Sequence, residues 1–109
     1  MNQKGILGID IGGTGIKGAI VDVKKGVLLT ERIRLQTPQP ATPKSVAATV
    51  EELIDELKYK GPLGVGFPAT VRRGVAVSAA NIDESWIGTN IEKTLGKKTG
   101  LPFFALNDA

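Results

Sequence analysis

Apolar residues recur along this chain at two different spacings, and the changes between them divide it into elements. Ile6, Leu7, Ile9 and Ile11 make a short dense run over Gly5 to Ile11, as expected of a buried strand. The turn Gly12-Gly13-Thr14-Gly15 follows, then a second strand over Ile16 to Val23 with Ile16, Ile20, Val21 and Val23 apolar. Lys24-Lys25-Gly26 predicts a hairpin turn. A third strand is expected over Val27 to Leu35, where the run Val27, Leu28, Leu29 gives way to alternation through Ile33 and Leu35. Three strands joined by two short turns make an antiparallel meander.

The period then changes. Gln36 to Pro43 holds Pro38, Pro40 and Pro43 and is expected to be irregular. Val46, Val50, Leu53, Ile54 and Leu57 fall on one face of a helix, with Thr42 suited to its N-cap and Pro43 to its first position. Gly61 and Pro62 are expected to end it. Leu63 to Phe67 reads as a short apolar strand closed by Pro68. Thr70 to Ser78 reads as a small hairpin turning near Arg73-Gly74, and Asn81 to Thr89 as a polar loop carrying Trp86. Asn90 caps a short helix through Thr99, with Lys97 and Lys98 near its negative end, and Gly100 and Pro102 stop it. Phe103 to Leu106 is a last strand, with Asn107-Asp108-Ala109 at its C-terminal end. The expected fold class is α/β, a mixed sheet that starts with a three-strand antiparallel meander and carries helices packed on it.

Composition narrows the chemistry. The 109 residues, 41% hydrophobic and 23% charged, make one globular domain, and the scarcity of aromatics leaves Ile, Val, Leu and Ala to build the core. Without cysteine there is no disulfide or thiolate catalysis, which fits a cytoplasmic protein. Without histidine there is no Ser-His-Asp triad and no histidine metal site within the chain. No signal peptide is expected, and no apolar run approaches the ~20 residues of a membrane span. The net charge of +3 suits an anionic ligand, and equally suits a solvated surface.

Gly13-Thr14-Gly15-Ile16-Lys17-Gly18 matches the dinucleotide fingerprint G-x-G-x-x-G letter for letter. That fingerprint needs a helix beginning in the glycine turn. Here Ile20 to Val23 reads as strand and Gly26 breaks the chain soon afterwards. A Walker loop also fails, because no G-K-[ST] follows the glycines. What remains is a glycine turn between antiparallel strands. Such a turn aims backbone N–H groups into one concavity that suits a phosphoryl group, with the Thr14 hydroxyl as a further donor. Asp10 at the end of the first strand cannot bind phosphate directly, but can hold a hydrated Mg²⁺ that bridges to it. The plainer alternative is a hairpin with glycines for its turn and Asp10 as a turn residue.

Asp10-Ile11-Gly12-Gly13-Thr14 resembles the first phosphate motif of the ROK family of sugar kinases and repressors. Further blocks, Thr37-Pro38-Gln39-Pro40-Ala41-Thr42-Pro43, Gly61-Pro62-Leu63-Gly64-Val65, Ala79-Ala80-Asn81 through Trp86 to Asn90, and Leu106-Asn107-Asp108-Ala109, are similar to those of the polyphosphate glucokinases within it. The resemblance implies a ribonuclease H-like, actin-like ATPase lobe. It implies phosphoryl transfer from polyphosphate or ATP to the 6-hydroxyl of glucose, with Mg²⁺ and no zinc. Asp108 then matches the catalytic base, Asn107 and Asn81 the sugar contacts, and Asp10, Gly12, Gly13 and Thr14 the phosphate and metal segment, with Lys17 placed to help a polyanion. Trp86 has a packing or a sugar-stacking reading. Arg72-Arg73 and Lys97-Lys98 read as solvated charge or as a polyphosphate track.

The same resemblance implies that residues 1–109 are the N-terminal lobe of such a kinase, with the C-terminal lobe absent, a homodimer in the full-length parent, and no DNA or membrane partner. The competing classes are a non-catalytic sugar-binding fragment and a ROK transcriptional regulator. The regulator would need a helix-turn-helix before the phosphate motif, where only a few residues stand.

Overall fold

Strand β1 (Ile6–Ile11) alternates strictly, with Leu7, Ile9 and Ile11 buried and Ile6, Gly8 and Asp10 on the opposite face. The structure, a computed structural model, describes residues 5–79 and 82–107. β2 (Gly15–Asp22) returns antiparallel to β1, with Ile11 opposite Ile16, Ile9 opposite Gly18 and Leu7 opposite Ile20. The glycine turn therefore joins two antiparallel strands and opens no helix, and the dinucleotide fingerprint is excluded by geometry.

The expected third strand is interrupted. β3 (Val27–Leu28) and β4 (Ile33–Gln36) both pair with β2, but in two registers. Val21 faces Leu28 and Gly18 faces Ile33, so Ala19 and Ile20 stand against the four residues Leu29 to Arg32. The surplus is accommodated as a bulge. The Ile20 N–H donates to Thr30 Oγ1 at 3.0 Å, and the Ile20 carbonyl accepts from the Leu29 N–H at 2.7 Å. A threonine hydroxyl thus stands in for a ladder bond, while hydrophobic alternation continues across the break.

Helix α1 (Pro43–Leu57) begins as its sequence predicts. Thr42 accepts from the Ser45 N–H, and Ser45 Oγ accepts from the Thr42 N–H at 3.0 Å, a reciprocal cap. Its end differs from expectation. Lys58, not Gly61, is the left-handed C-cap, with φ 51°. The cause is Tyr59, which is buried and whose hydroxyl donates to the Pro62 carbonyl at 2.6 Å, so the chain turns back three residues early.

β5 (Leu63–Phe67) runs parallel to β1, and β8 (Phe103–Asn107) runs parallel to β5. Between them come a small hairpin of β6 (Val71–Arg72) and β7 (Val75–Ala76), a 3-10 turn at Glu84–Trp86, and α2 (Ile91–Thr99). Asn90 caps α2 and Gly100 closes it. The main sheet has the order β3-β2-β1-β5-β8, with β4 also on β2. One face is the core: Leu7, Ile9, Ile11, Ile16, Val65 and Phe67 cluster with Val50, Leu53 and Ile54 of α1 and Ile91 and Leu95 of α2. The other face carries the exposed Ile6, Leu28 and Phe104. The outer edge of β8 is occupied, since the Ala105 N–H donates to Glu92 Oε2 of α2 at 3.0 Å. Trp86 is a packing residue: it is fully buried, stands edge-on to Phe67 at 4.8 Å, and donates its indole N–H to the Ala41 carbonyl at 2.9 Å. Among the described residues no helix is long and apolar enough to cross a membrane.

The left-handed Lys58 gives the first test. A residue with a β-carbon loses roughly 1–2 kcal/mol there, and a glycine recovers that less roughly 0.5–1 kcal/mol of unfolded-state entropy. Lys58→Gly is expected to raise stability by about 0.5–1 kcal/mol, read as a higher urea midpoint at unchanged slope.

Candidate phosphate-binding site

The parallel strands β1 and β5 end at one edge of the sheet, and β8 ends there too, with Asn107 opposite Phe67. β4 runs in the same sense, because both it and β1 are antiparallel to β2. The chain therefore delivers Gly12–Thr14 and Thr37–Gln39 to this edge together.

These two segments are tied by every carbonyl of the turn. The Gly12 carbonyl accepts from Thr37 Oγ1 at 2.7 Å. The Gly13 carbonyl accepts from Gln39 Nε2 at 3.2 Å. The Thr14 carbonyl accepts twice, from the Thr37 N–H at 3.1 Å and from Arg34 Nη2 at 3.2 Å. The Gly12 N–H closes the turn on the Gly15 carbonyl at 2.9 Å. Among the described residues, the N–H groups of Gly13 and Thr14 and the Thr14 hydroxyl have no acceptor. The acceptors of the turn are used and the Gly13 and Thr14 donors are free, an arrangement suited to an anion.

Two glycines are required by close approach. A β-carbon on Gly12 would lie 2.9 Å from the Gly15 carbonyl oxygen. One on Gly15 would lie 2.5 Å from Arg34 Nε, so the missing side chain is what lets the guanidinium cross to Thr14.

Asp10 projects from β1 on the open face, opposite Lys17 of β2 on one side and Gly66 of β5 on the other. Gly66 beside it has no side chain, and even a β-carbon there would lie 3.5 Å from Asp10 Oδ1. No hydrogen bond or ion pair engages it among the described residues. Lys17 is exposed beside it. The structure thus brings Asp10, Gly12, Gly13, Thr14 and Lys17 together. Asn107 ends β8 two strands from the β1 line, about 10 Å away by strand spacing. Asn81 and Asp108 lie outside the described residues.

Thr37 and Arg34 were not among the expected site residues. Thr37 is the one buried polar side chain among those described, at 2% exposure. Its place in the Thr37-Pro38-Gln39-Pro40 block was the available signal. Lys97 and Lys98 lie on the helical layer, where Lys98 Nζ stands 3.6 Å from Glu51 Oε1, so they are remote from the open face.

The loop after β7 contains one perturbed acid. Hydrogen bonds from the Ser85 hydroxyl and the Ser85 N–H hold Asp83 below its ordinary pKa.

The meander, the glycine turn and the parallel strand ends define an actin-like fold, and solved structures of sugar kinases superpose on this one. An inorganic polyphosphate/ATP-glucomannokinase from Arthrobacter sp. strain KM is 50% identical with a TM-score of 0.93, covering 98% of this chain and 45% of that one. A ROK glucokinase from Streptomyces griseus, solved with glucose and AMPPNP, is 27% identical with a TM-score of 0.81, covering 95% of this chain and 33% of that one. The chain belongs to the ROK family, whose sequence pattern it matches over residues 6–109. A polyphosphate glucokinase from Mycobacterium tuberculosis is 51% identical over 108 residues, which are 98% of this chain and 41% of that protein. The chain thus spans about two fifths of the length of that relative and a smaller share of others, such as 26% of a polyphosphate glucokinase from Mycobacterium leprae.

Two tests follow from this geometry. Thr37→Val keeps the shape and leaves the Gly12 carbonyl unpaired. It is expected to cost about 1–3 kcal/mol and to speed hydrogen exchange at the Gly12 amide, both measurable on the same sample. For Asp83 the folded pKa is depressed, so its contribution to stability is present above the ordinary aspartate pKa and is lost as pH falls through the lowered value. Ser85→Ala is expected to return the Asp83 midpoint upward toward the ordinary value, read from its carboxyl carbon shift in an NMR titration.

Proposed function

We propose that this chain is the N-terminal lobe of a cytoplasmic glucokinase that transfers a phosphoryl group from polyphosphate or ATP to the 6-hydroxyl of glucose. The observation that supports it best is the turn itself, with its carbonyls engaged and the Gly13 and Thr14 N–H groups free at the strand ends. The 51% identity to a polyphosphate glucokinase favours that donor and acceptor over other sugar-kinase chemistries.

In this reading the Gly13 and Thr14 amides and the Thr14 hydroxyl hold oxygens of the transferred phosphoryl group. Phosphoryl transfer asks mainly for positioning and for neutralisation of charge on those oxygens. Donors fixed before the reaction stabilise that charge without reorganising. Asp10 offers an unengaged carboxylate beside the loop, and one such ligand together with phosphate oxygens is the donor set Mg²⁺ accepts. Held through water by Asp10, Mg²⁺ would supply neutralising charge to the donor. Asp108 takes the proton of the glucose 6-hydroxyl, and Asn107 and Asn81 orient the sugar. Each amide supplies both a donor and an acceptor to hydroxyl groups.

Because the chain spans about two fifths or less of its curated relatives' length, the groups that close the cleft in this reading belong to the remainder of a longer protein. The 109-residue chain by itself is expected to form no glucose 6-phosphate at a useful rate, since charge developing in open water is poorly stabilised. In the full-length parent, Asp108→Asn is expected to lower turnover by ~10²–10⁴ while glucose affinity changes far less. Asp10→Asn is expected instead to raise the Mg²⁺ concentration needed for half-maximal rate. Turnover, glucose affinity and Mg²⁺ dependence of both variants decide the matter, and near-normal turnover in Asp108→Asn rejects that residue as the base.

A further inference from the structure

The open face next to the glycine turn holds a feature that folding does not explain. Lys17 of β2 and Arg34 of β4 stand directly opposite each other in the antiparallel ladder, both exposed. Like charges so placed destabilise a sheet. Asp10 flanks Lys17 on its other side, yet forms no ion pair with it. Among the described residues the Lys17 ammonium has no partner. Arg34 has one, donating Nη2 to the Thr14 carbonyl, and the rest of its five N–H groups are unengaged. Two cationic residues thus rise from facing ladder positions with nearly all their donors unused, and the guanidinium of one lies over Gly15 and bonds the turn.

We propose that Lys17 and Arg34 extend this site along the donor, and bind the phosphoryl units of a linear polyphosphate that lie beyond the unit held at Gly13 and Thr14. The proposal rests on the phosphate-binding reading of the turn. The path is continuous. From the free Gly13 and Thr14 amides the way to Arg34 crosses Gly15, which has no side chain to obstruct it. Beyond the guanidinium stands Lys17, opposite Arg34 in the ladder, their backbones about 4.8 Å apart by strand spacing. A terminal phosphoryl group fills the turn alone and needs neither cation. A longer chain gains a contact at each, and arginine presents its donors as a fork matched to phosphate oxygens. ATP carries three phosphoryl units, as tripolyphosphate does, so its inner units reach the same two cations, and what they read is the number of linked phosphoryl units rather than the group at the far end.

The test is binding of pyrophosphate, tripolyphosphate, long-chain polyphosphate and ATP to the 109-residue chain, by calorimetry at fixed salt. Wild type is expected to bind more tightly as the chain lengthens. Lys17→Gln touches no hydrogen bond of the turn, so it leaves the loop intact. It is expected to weaken ligands of three or more phosphoryl units, tripolyphosphate, long-chain polyphosphate and ATP, about tenfold, the loss of one charge-assisted contact, and to change pyrophosphate by less than about threefold. Arg34→Lys should retain part of the length dependence and Arg34→Ala should lose it. Equal weakening of every ligand in both Arg34 variants would show that Arg34 only braces the turn, and overturns the proposal. So does a length dependence that survives Lys17→Gln and Arg34→Ala unchanged, which leaves the loop reading standing. Wild type that binds none of the four ligands overturns the loop reading together with this one.

Discussion

The site depends on where the carbonyls of one short turn point. A hairpin turn left to itself exposes donors and acceptors alike, and its oxygens repel an anion as strongly as its N–H groups attract one. Here the segment from Arg34 to Gln39 reaches back across β2 and engages the Gly12, Gly13 and Thr14 oxygens with four donors. What faces outward is then a pair of N–H groups and a hydroxyl, backed by a guanidinium. The turn is only partly buried, so water can satisfy these oxygens; the clamp instead sets the electrostatic sign that the turn presents.

The clamp is a consequence of sheet order. β4 reaches the turn because it lies beside β2 and runs parallel to β1, so that Gln36 is delivered opposite Gly15. The bulge between β3 and β4 matters for the same reason. Without the two surplus residues on the outer strand, every residue of β4 would be displaced by two positions relative to β2, and Thr37 would miss Gly12. Trp86 supports the exit from this segment, since its indole holds the Ala41 carbonyl just before α1 begins. A packing residue far along the chain thereby steadies the strap that shapes the loop.

Most of the scaffold was legible in the residues. The apolar runs of β1 and β5, the helical face of α1 and the Asn90–Gly100 boundaries of α2 are local signals, and each stands where its pattern put it. The antiparallel reading of the glycine turn came from β propensity after it, and outweighed a letter-perfect fingerprint. What escaped was set by distant partners. The third strand looks continuous by alternation, but its pairing is broken by a threonine bonding a residue ten positions away. The end of α1 was assigned to Gly61, the residue best suited to it, whereas burial of Tyr59 forces the turn onto Lys58. Thr37 binds a carbonyl 25 positions earlier, and no local pattern announces such a bond.

The placement of charge on the sheet carries the same lesson in reverse. Lys97 and Lys98 look like a basic cluster in sequence, yet α2 places them on the helical layer, where one lies near Glu51. Lys17 and Arg34 are seventeen residues apart and attract no attention in the sequence as a pair. The β2–β4 register makes them neighbours beside the anion loop. A run of like charge along a helix is dispersed by solvent and by its neighbours. A pair of like charges set across a ladder is held there by backbone hydrogen bonds, and here Asp10, opposite Lys17, is the one acid beside it in the ladder. In this sheet the geometry that builds the turn also sets an excess of positive charge next to it.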